Sequence, residues 1–221
     1  MGKKDKKQFA IIGLGRFGSS VALSLSKAGY DVLAIDSDEE RVQKFSDEVT
    51  HVVRADTTDE ASLKALGIRN FDTVVVAIGE DIQANVLTTL LLKEIGVPHI
   101  VAKARNELHG KMLEKIGADR VIYPERDMGM RVAHSLVSAN VLDYIELSPN
   151  LSLVEVAAPQ ALLGRSLAEA NLRARYGVNV VAIKRGEQII VPPLPSEKIN
   201  DKDIMIVVGT NDGVQKLEEL E

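Results

Sequence analysis

Short runs rich in valine and isoleucine alternate with helical segments over roughly the first 123 residues of this 221-residue chain. That alternation constrains the fold more than any single motif. The runs are QFAIIG (8–13), DVLAID (31–36), HVVRA (51–55), TVVVAI (73–78), HIVAKA (99–104) and RVIYP (120–124). They are short and mostly continuous in apolar residues, which is how a strand buried on both faces reads. Between them lie segments 16–28, 38–47, 58–66, 81–95 and 106–116, whose character is helical. Gly29, Gly67, Gly96 and Gly117 stand at or just past the ends of four of these, where a left-handed residue stops a helix. Six strands and five helices in alternation predict an α/β fold, a Rossmann-like doubly wound parallel sheet.

The pattern changes after the sixth run. The stretch RDMGMRVAHSLVSANVLDYIEL predicts one long helix over 126–147, with apolar residues at Met128, Val132 and Leu136 and again at Val137, Val141 and Ile145. No further strand remains for it to cover. It reads either as a last helix on its own sheet or as a crossover helix that packs on a second subunit. SPN (148–150) is turn chemistry and marks a boundary. Beyond it, SLVEVAA, the helical LLGRSLAEANLRARYG, a hairpin around RGEQ, the strand DIMIVVG and a final helix predict a smaller α+β C-terminal domain. The expected organisation is a nucleotide-binding domain over 1–125, a crossover helix over 126–147 and an effector domain over 148–221.

Composition excludes several classes. There is no cysteine, so a disulfide scaffold, a thiolate metal site and a cysteine nucleophile are ruled out. Aromatic residues are only 4% of the chain, so the core must be built from Val, Ile, Leu and Ala. The net charge is −5, with no basic excess on either side of residue 140, which argues against nucleic acid as a partner. The basic start MGKKDKKQF is followed by no apolar signal core, and no stretch approaches the ~18 apolar residues of a membrane span. The expectation is a protein inside the cell with no direct membrane insertion, reaching a membrane only through a partner.

GLGRFG (13–18) fits G-x-G-x-x-G, and its context strengthens it: a strand precedes it, a helix begins inside it, and Asp36 closes the second strand. Gly13 permits the tight turn, Gly15 lets phosphate approach the backbone, and Gly18 lets the helix pack against the sheet. The helix N-terminal N–H groups then meet the phosphate. Asp36 suits the hydroxyls of an adenosine ribose and would repel a 2′-phosphate. Arg16 occupies a position that the motif leaves free; its guanidinium either meets a terminal phosphate or is solvated. Asp56, Asp81 and Asn85 lie at the carboxyl ends of strands, where open α/β sheets bind ligands. Asp56 contacts the adenine side, or else Asp56, Thr57 or Thr58 caps the next helix. Lys103 and Glu125 follow strands five and six on the same rim. Glu125 is either a hard-cation ligand or an ordinary surface glutamate.

No catalytic set accompanies the loop. His51, His99, His109 and His134 form no HExxH or HxE pattern, no tyrosine has a lysine four residues on, and G-x-S-x-G and Walker A motifs are absent. A nucleotide site with nothing to act on the nucleotide points away from an enzyme and towards a switch.

GLGRFG, Asp36, RNFDTVVVAIGEDIQANVLTTLLLKE, KIGADRVIYPERDMG and RARYGVNVVAIKRG, taken in order, resemble the regulatory subunits of Ktr-type bacterial potassium transporters, of the RCK or TrkA family. The basic KKDKK start is a mild departure. The resemblance implies ATP or ADP bound by Gly13, Gly15, Arg16, Phe17, Gly18, Asp36, Asp56, Thr57, Ala77, Ile78, Gly79 and Lys103, with Arg16 sensing the γ-phosphate. It implies a cation (Mg, Ca or Na) on Glu125 at a dimer interface. It implies cyclic di-AMP between two C-terminal domains, on Arg173, Asn179, Val180 and Pro195. It also implies dimers joined through the crossover helix into an octameric ring, docked on the cytoplasmic face of an integral-membrane K⁺-conducting subunit. The rival readings are an NAD(H)-dependent oxidoreductase and an NADH-sensing regulator.

Overall fold

The computed structural model describes residues 6–137 and 141–220. The chain divides into two compact units, 1–125 and 126–221.

In the first unit, strands β1 (Gln8–Ile12), β2 (Asp31–Asp36), β3 (His51–Arg54), β4 (Thr73–Val76), β5 (Ile100–Lys103) and β6 (Arg120–Ile122) form one sheet in the order β3-β2-β1-β4-β5-β6. Every neighbouring pair is parallel. Helices α1 (Arg16–Lys27), α2 (Glu39–Phe45), α3 (Glu60–Ala65), α4 (Ile82–Ile95) and α5 (Glu107–Ile116) connect successive strands. The predicted alternation is therefore the observed fold, with ends that differ by a few residues. Ile12, Ile35, Val76, Leu92, Ile100 and Leu113 are almost wholly buried, and burying each such side chain contributes about 1.5–3 kcal/mol.

Four of these helices start on a side-chain cap. Asp38, Asp59, Asp81 and Asn106 accept hydrogen bonds from first-turn N–H groups of α2, α3, α4 and α5. Helix α3 is thus capped by Asp59, and not by Asp56, Thr57 or Thr58. Helix α1 differs: its N-cap is Gly15, which has no side chain to offer. No side chain caps its first turn.

Helix α6 (Pro124–Val137) runs across the boundary between the units, and here the sequence expectation differs from the structure. The helix expected over 126–147 does not run through. Residues Val141–Ser148 form strand β7, which pairs antiparallel with β8 (Leu151–Ala157) across the turn at 149–150. The ladder to β8 decides the conformation, and only it could distinguish the apolar spacing of Val141 and Ile145 from a helical repeat. The SPN turn therefore lies inside the second unit as a hairpin. Strands β9 (Val178–Arg185), β10 (Gln188–Ile190) and β11 (Ile204–Thr210) complete a sheet in the order β10-β9-β11-β8-β7. Helices α7 (Leu167–Ala170), α8 (Leu172–Tyr176) and α9 (Asn211–Glu218) accompany it. Gly186 and Glu187 form the two-residue turn of the expected hairpin. Asp203 is fully buried, and Arg185 grips both its oxygens at 2.8 Å.

Gly13 and Gly18 fix how α1 meets the first sheet. Gly13 has φ +96°, and a Cβ on Gly18 would stand 1.9 Å from the Gly13 carbonyl oxygen. We expect Gly18→Ala to destabilise the chain by about 3 kcal/mol, the upper end for an overpacked site whose neighbour is backbone. A shift of the urea midpoint equivalent to under about 0.5 kcal/mol would contradict this.

Candidate functional site

In the order β3-β2-β1-β4-β5-β6 the direction of winding reverses between β1 and β4. Open parallel sheets bind ligands outside the carboxyl ends of their strands at such a point. A cleft of about 890 Å³ lies there, the size of a nucleotide site.

The cleft brings together Gly13, Gly15, Arg16, Phe17, Asp36, Asp56, Thr57, Ala77, Ile78, Gly79, Lys103 and Glu125. Gly18 does not line it. It lies beneath, where its missing side chain lets α1 sit on the Gly13 carbonyl. A Cβ on Gly15 would meet nothing within 4 Å, so that backbone is open to an approaching group.

Asp36 is buried and already at work. One carboxylate oxygen accepts the Leu14 N–H at 2.6 Å, the other accepts the Asp38 N–H at 2.9 Å, and Arg41 stands 3.5 Å away. Asp36 therefore clamps the glycine loop to the end of β2. Each oxygen keeps a lone pair for a further donor. Asp56 accepts from both the backbone N–H and the hydroxyl of Thr58, which hold its carboxyl below the usual carboxylate range. Thr57 is buried, with its hydroxyl 3.0 Å from that of Thr88 on α4.

On the other side of the switch point, Asn85 is completely buried in the first turns of α4. Its amide donates to the Ile78 carbonyl at 2.6 Å and the Lys103 carbonyl at 3.1 Å. It ties the ends of β4 and β5 together beneath the cleft. The Lys103 ammonium donates to Glu125 at 2.5 Å. That bond is the main reason the Glu125 carboxyl titrates below its ordinary value, with further contributions from its backbone hydrogen bond and the charges of Lys103 and Arg16. No group of three or more His, Asp or Glu able to hold a metal occurs among the described residues. Within one chain, then, Glu125 offers a single carboxylate whose partner is an ammonium.

Sequence reasoning missed Arg41, Lys44 and Arg105, which also line the cleft. The first two stand on the helix that follows Asp36, so their proximity to the ribose carboxylate could have flagged them. It also missed the role of His109, which is buried with Nδ1 accepting the Arg105 N–H at 3.3 Å. The His109 Nε2 atom is buried without a hydrogen-bond partner. Burial, with the Arg105 charge adding to it, lowers the His109 pKa from its ordinary 6.5.

A smaller cleft of about 240 Å³ in the second unit is lined by Arg173, Asn179, Val180 and Pro195. Its other walls include Asn171 and Leu172, where α7 gives way to α8. The volume suits part of a dinucleotide rather than the whole.

Residues 9–124 match the TrkA-N domain and residues 151–221 the TrkA-C domain. The chain is 53% identical over 214 residues to the Ktr system potassium uptake protein C of Bacillus subtilis, covering 97% of each. The GsuK channel superimposes on all of this chain with a TM-score of 0.72 at 18% identity, over 40% of its own length. The structure of GsuK bound to ADP matches 62% of this chain and 35% of that one, at 26% identity and a TM-score of 0.52. Among the described residues, no helix is long and apolar enough to cross a membrane.

Two outcomes follow from this geometry. Gly15→Ala should cost no more than about 1 kcal/mol of stability, the difference between glycine and alanine at an N-cap with open space around the new Cβ, yet weaken nucleotide binding tenfold or more by standing where phosphate must approach. Calorimetric titration and thermal unfolding read the two quantities separately; unaltered affinity would contradict the assignment. His109 gives a pH dependence. Its folded pKa is depressed, so the unfolded chain takes up the proton first. The stability it contributes is present above pH ~6.5 and is lost as pH falls through the lower folded value. Urea unfolding between pH 7 and 5 should show a steeper loss for the parent chain than for His109→Gln; parallel curves would count against it.

Proposed function

The chain belongs to the TrkA family as a relative of the Ktr-type potassium-uptake regulatory proteins, and we propose that it gates a membrane K⁺ transporter according to whether ATP or ADP fills the large cleft. One observation carries this reading: α1 starts on an uncapped Gly15 with Arg16 as its first residue, at the mouth of a nucleotide-sized cleft. A helix N-terminus attracts phosphate through its free N–H groups and its dipole. ATP and ADP differ by one phosphate, so a switch that tells them apart needs a cation where that phosphate falls. Arg16 is exposed, and among the described residues it has no ion-pair partner within 4 Å. The ADP-bound GsuK neighbour supports an adenine nucleotide in the cleft, and GsuK also matches in its NAD-bound form, so the choice of ATP and ADP rests on Arg16 and on the missing catalytic set.

In this reading residues 1–125 are the nucleotide-binding domain and 148–221 the effector domain. Gly13, Gly15, Phe17 and Gly79 form the phosphate floor, and Asp36 receives the ribose. Asp56, Thr57, Ala77 and Ile78 line the nucleoside side. Two copies pair through the segment that includes α6, whose Met128, Met130, Val132 and Leu136 are exposed. Pairs assemble into an octameric ring on the cytoplasmic face of the membrane subunit. Glu125 is a cation ligand only when a second copy brings further oxygen donors to it. Cyclic di-AMP occupies the small cleft, with Arg173, Asn179, Val180 and Pro195 each contacting one half of it. The half-sized volume of that cleft is what recommends a site completed by a second copy. The chain itself performs no chemistry on the nucleotide.

The test is the pair of dissociation constants for ATP and ADP. Losing one charge-assisted hydrogen bond costs about 1.5–3 kcal/mol, tenfold or more in affinity. Arg16→Ala should lose that much for ATP and little for ADP. Undiminished discrimination in the variant would remove Arg16 as the sensor, and tighter binding of NADH than of either nucleotide would favour the NADH-sensing alternative.

A further inference from the structure

Asp56 is a carboxylate in a cleft that otherwise suits an anion, and the fold gives it no partner charge. It lines the cleft and is exposed. Its Oδ1 accepts the Thr58 N–H at 2.9 Å and the Thr58 hydroxyl at 2.6 Å. Among the described residues no hydrogen bond reaches its Oδ2, and no cation stands within 4 Å of it. Nor does a helix depend on it, because α3 starts on Asp59. The bonds from Thr58 keep Asp56 ionised, so its free oxygen can only accept.

The strand order decides which part of a ligand that oxygen meets. Strands β1, β2 and β3 are consecutive neighbours. Gly15 follows β1, Asp36 ends β2 and Asp56 follows β3. From the first to the third is two strand spacings, roughly 10 Å. That is the reach from the 5′ phosphate of a nucleotide across its ribose to the edge of its base. A carboxylate beside the phosphate would repel it, whereas at the far end of the same ligand it faces the uncharged base. An acceptor held there is satisfied by a donor. Adenine carries one in its 6-amino group. Hypoxanthine and guanine carry a carbonyl oxygen on the same carbon, and two facing acceptors are both left unpaired.

We infer that Asp56 selects the base: its free oxygen accepts from the 6-amino group of adenine and rejects purines that carry a carbonyl there. The inference rests on the nucleotide reading of the cleft and deepens it, since Arg16 and the glycine loop tell phosphates apart and not bases. Thr58 is then a positioning residue that fixes which oxygen of Asp56 stays free. A carboxylate that only braced its own loop would treat all bases alike.

The experiment is calorimetric titration of the full chain with ATP and with inosine triphosphate. These differ only in the base, where a carbonyl replaces the 6-amino group and N1 gains a proton. Both carry the same charge, so general attraction or repulsion cancels in the ratio of their affinities. The variants are Asp56→Asn and Asp56→Ala, each checked for folding by thermal unfolding. The parent chain should bind ATP about tenfold tighter or more, the scale of one charge-assisted hydrogen bond. Asp56→Asn keeps the shape, and its amide can turn to donate to a carbonyl, so the ratio should fall to about threefold or less. Asp56→Ala should reach the same ratio through loss of ATP affinity. A parent ratio below about threefold overturns the inference and leaves the nucleotide reading standing. So does a ratio that both variants keep within about twofold of the parent's. If the parent chain binds neither ligand, the nucleotide reading falls first, and this inference with it.

Discussion

The contact between Gly18 and the carbonyl of Gly13 is the constraint on which the rest of the first unit depends. Because neither residue carries a side chain there, α1 begins directly against the end of β1. That leaves its first turn, at Gly15, Arg16 and Phe17, lining the cleft at the switch point of the sheet. Asp36 then fixes the loop from the other side through the Leu14 N–H. Asn85 fixes the opposite wall by joining the ends of β4 and β5. Three devices thus define a cleft whose backbone and Asp36 carboxylate are held in place before any ligand arrives, which lowers the ordering cost of binding.

The alternation of apolar runs and helical segments made the first unit legible, because a buried parallel sheet imposes a continuous apolar pattern on every strand. The glycine loop and Asp36 were legible for a related reason: their spacing is set by one strand, one turn and one helix, all local. The misreadings have a common cause. Residues 141–148 carry spacing compatible with a helix, and only their ladder to Leu151–Ala157 makes them a strand. The Lys103–Glu125 pair joins residues 22 apart through the packing of β5 beside β6, and no local pattern announces it. Arg41 and Arg105 reach the cleft from elements whose sequences read as ordinary exposed helix and loop. His109 looked like one imidazole among four, whereas burial sets it apart.

A ligand shifts an equilibrium only by the difference in its affinity for the two states. Moving a switch between mostly one state and mostly the other takes several kcal/mol. A phosphate that met both Arg16 and the free helix end would gain more than one charge-assisted contact at once. In an assembly of several copies the small difference at each cleft is repeated. The second unit offers a separate cleft, so a second ligand could bias the same equilibrium without entering the first site.

Control of K⁺ passage through a membrane partner by the nucleotide bound in the first unit is the core of the proposed switch. Its most direct measurement is K⁺ flux in vesicles that contain the membrane subunit and this chain, with ATP and then ADP supplied at saturating concentration. The fluxes with the two nucleotides should differ by about tenfold, as a coupling of about 1–2 kcal/mol requires. Equal flux with ATP, ADP and no nucleotide, from vesicles in which the chain is bound to its partner, would contradict it.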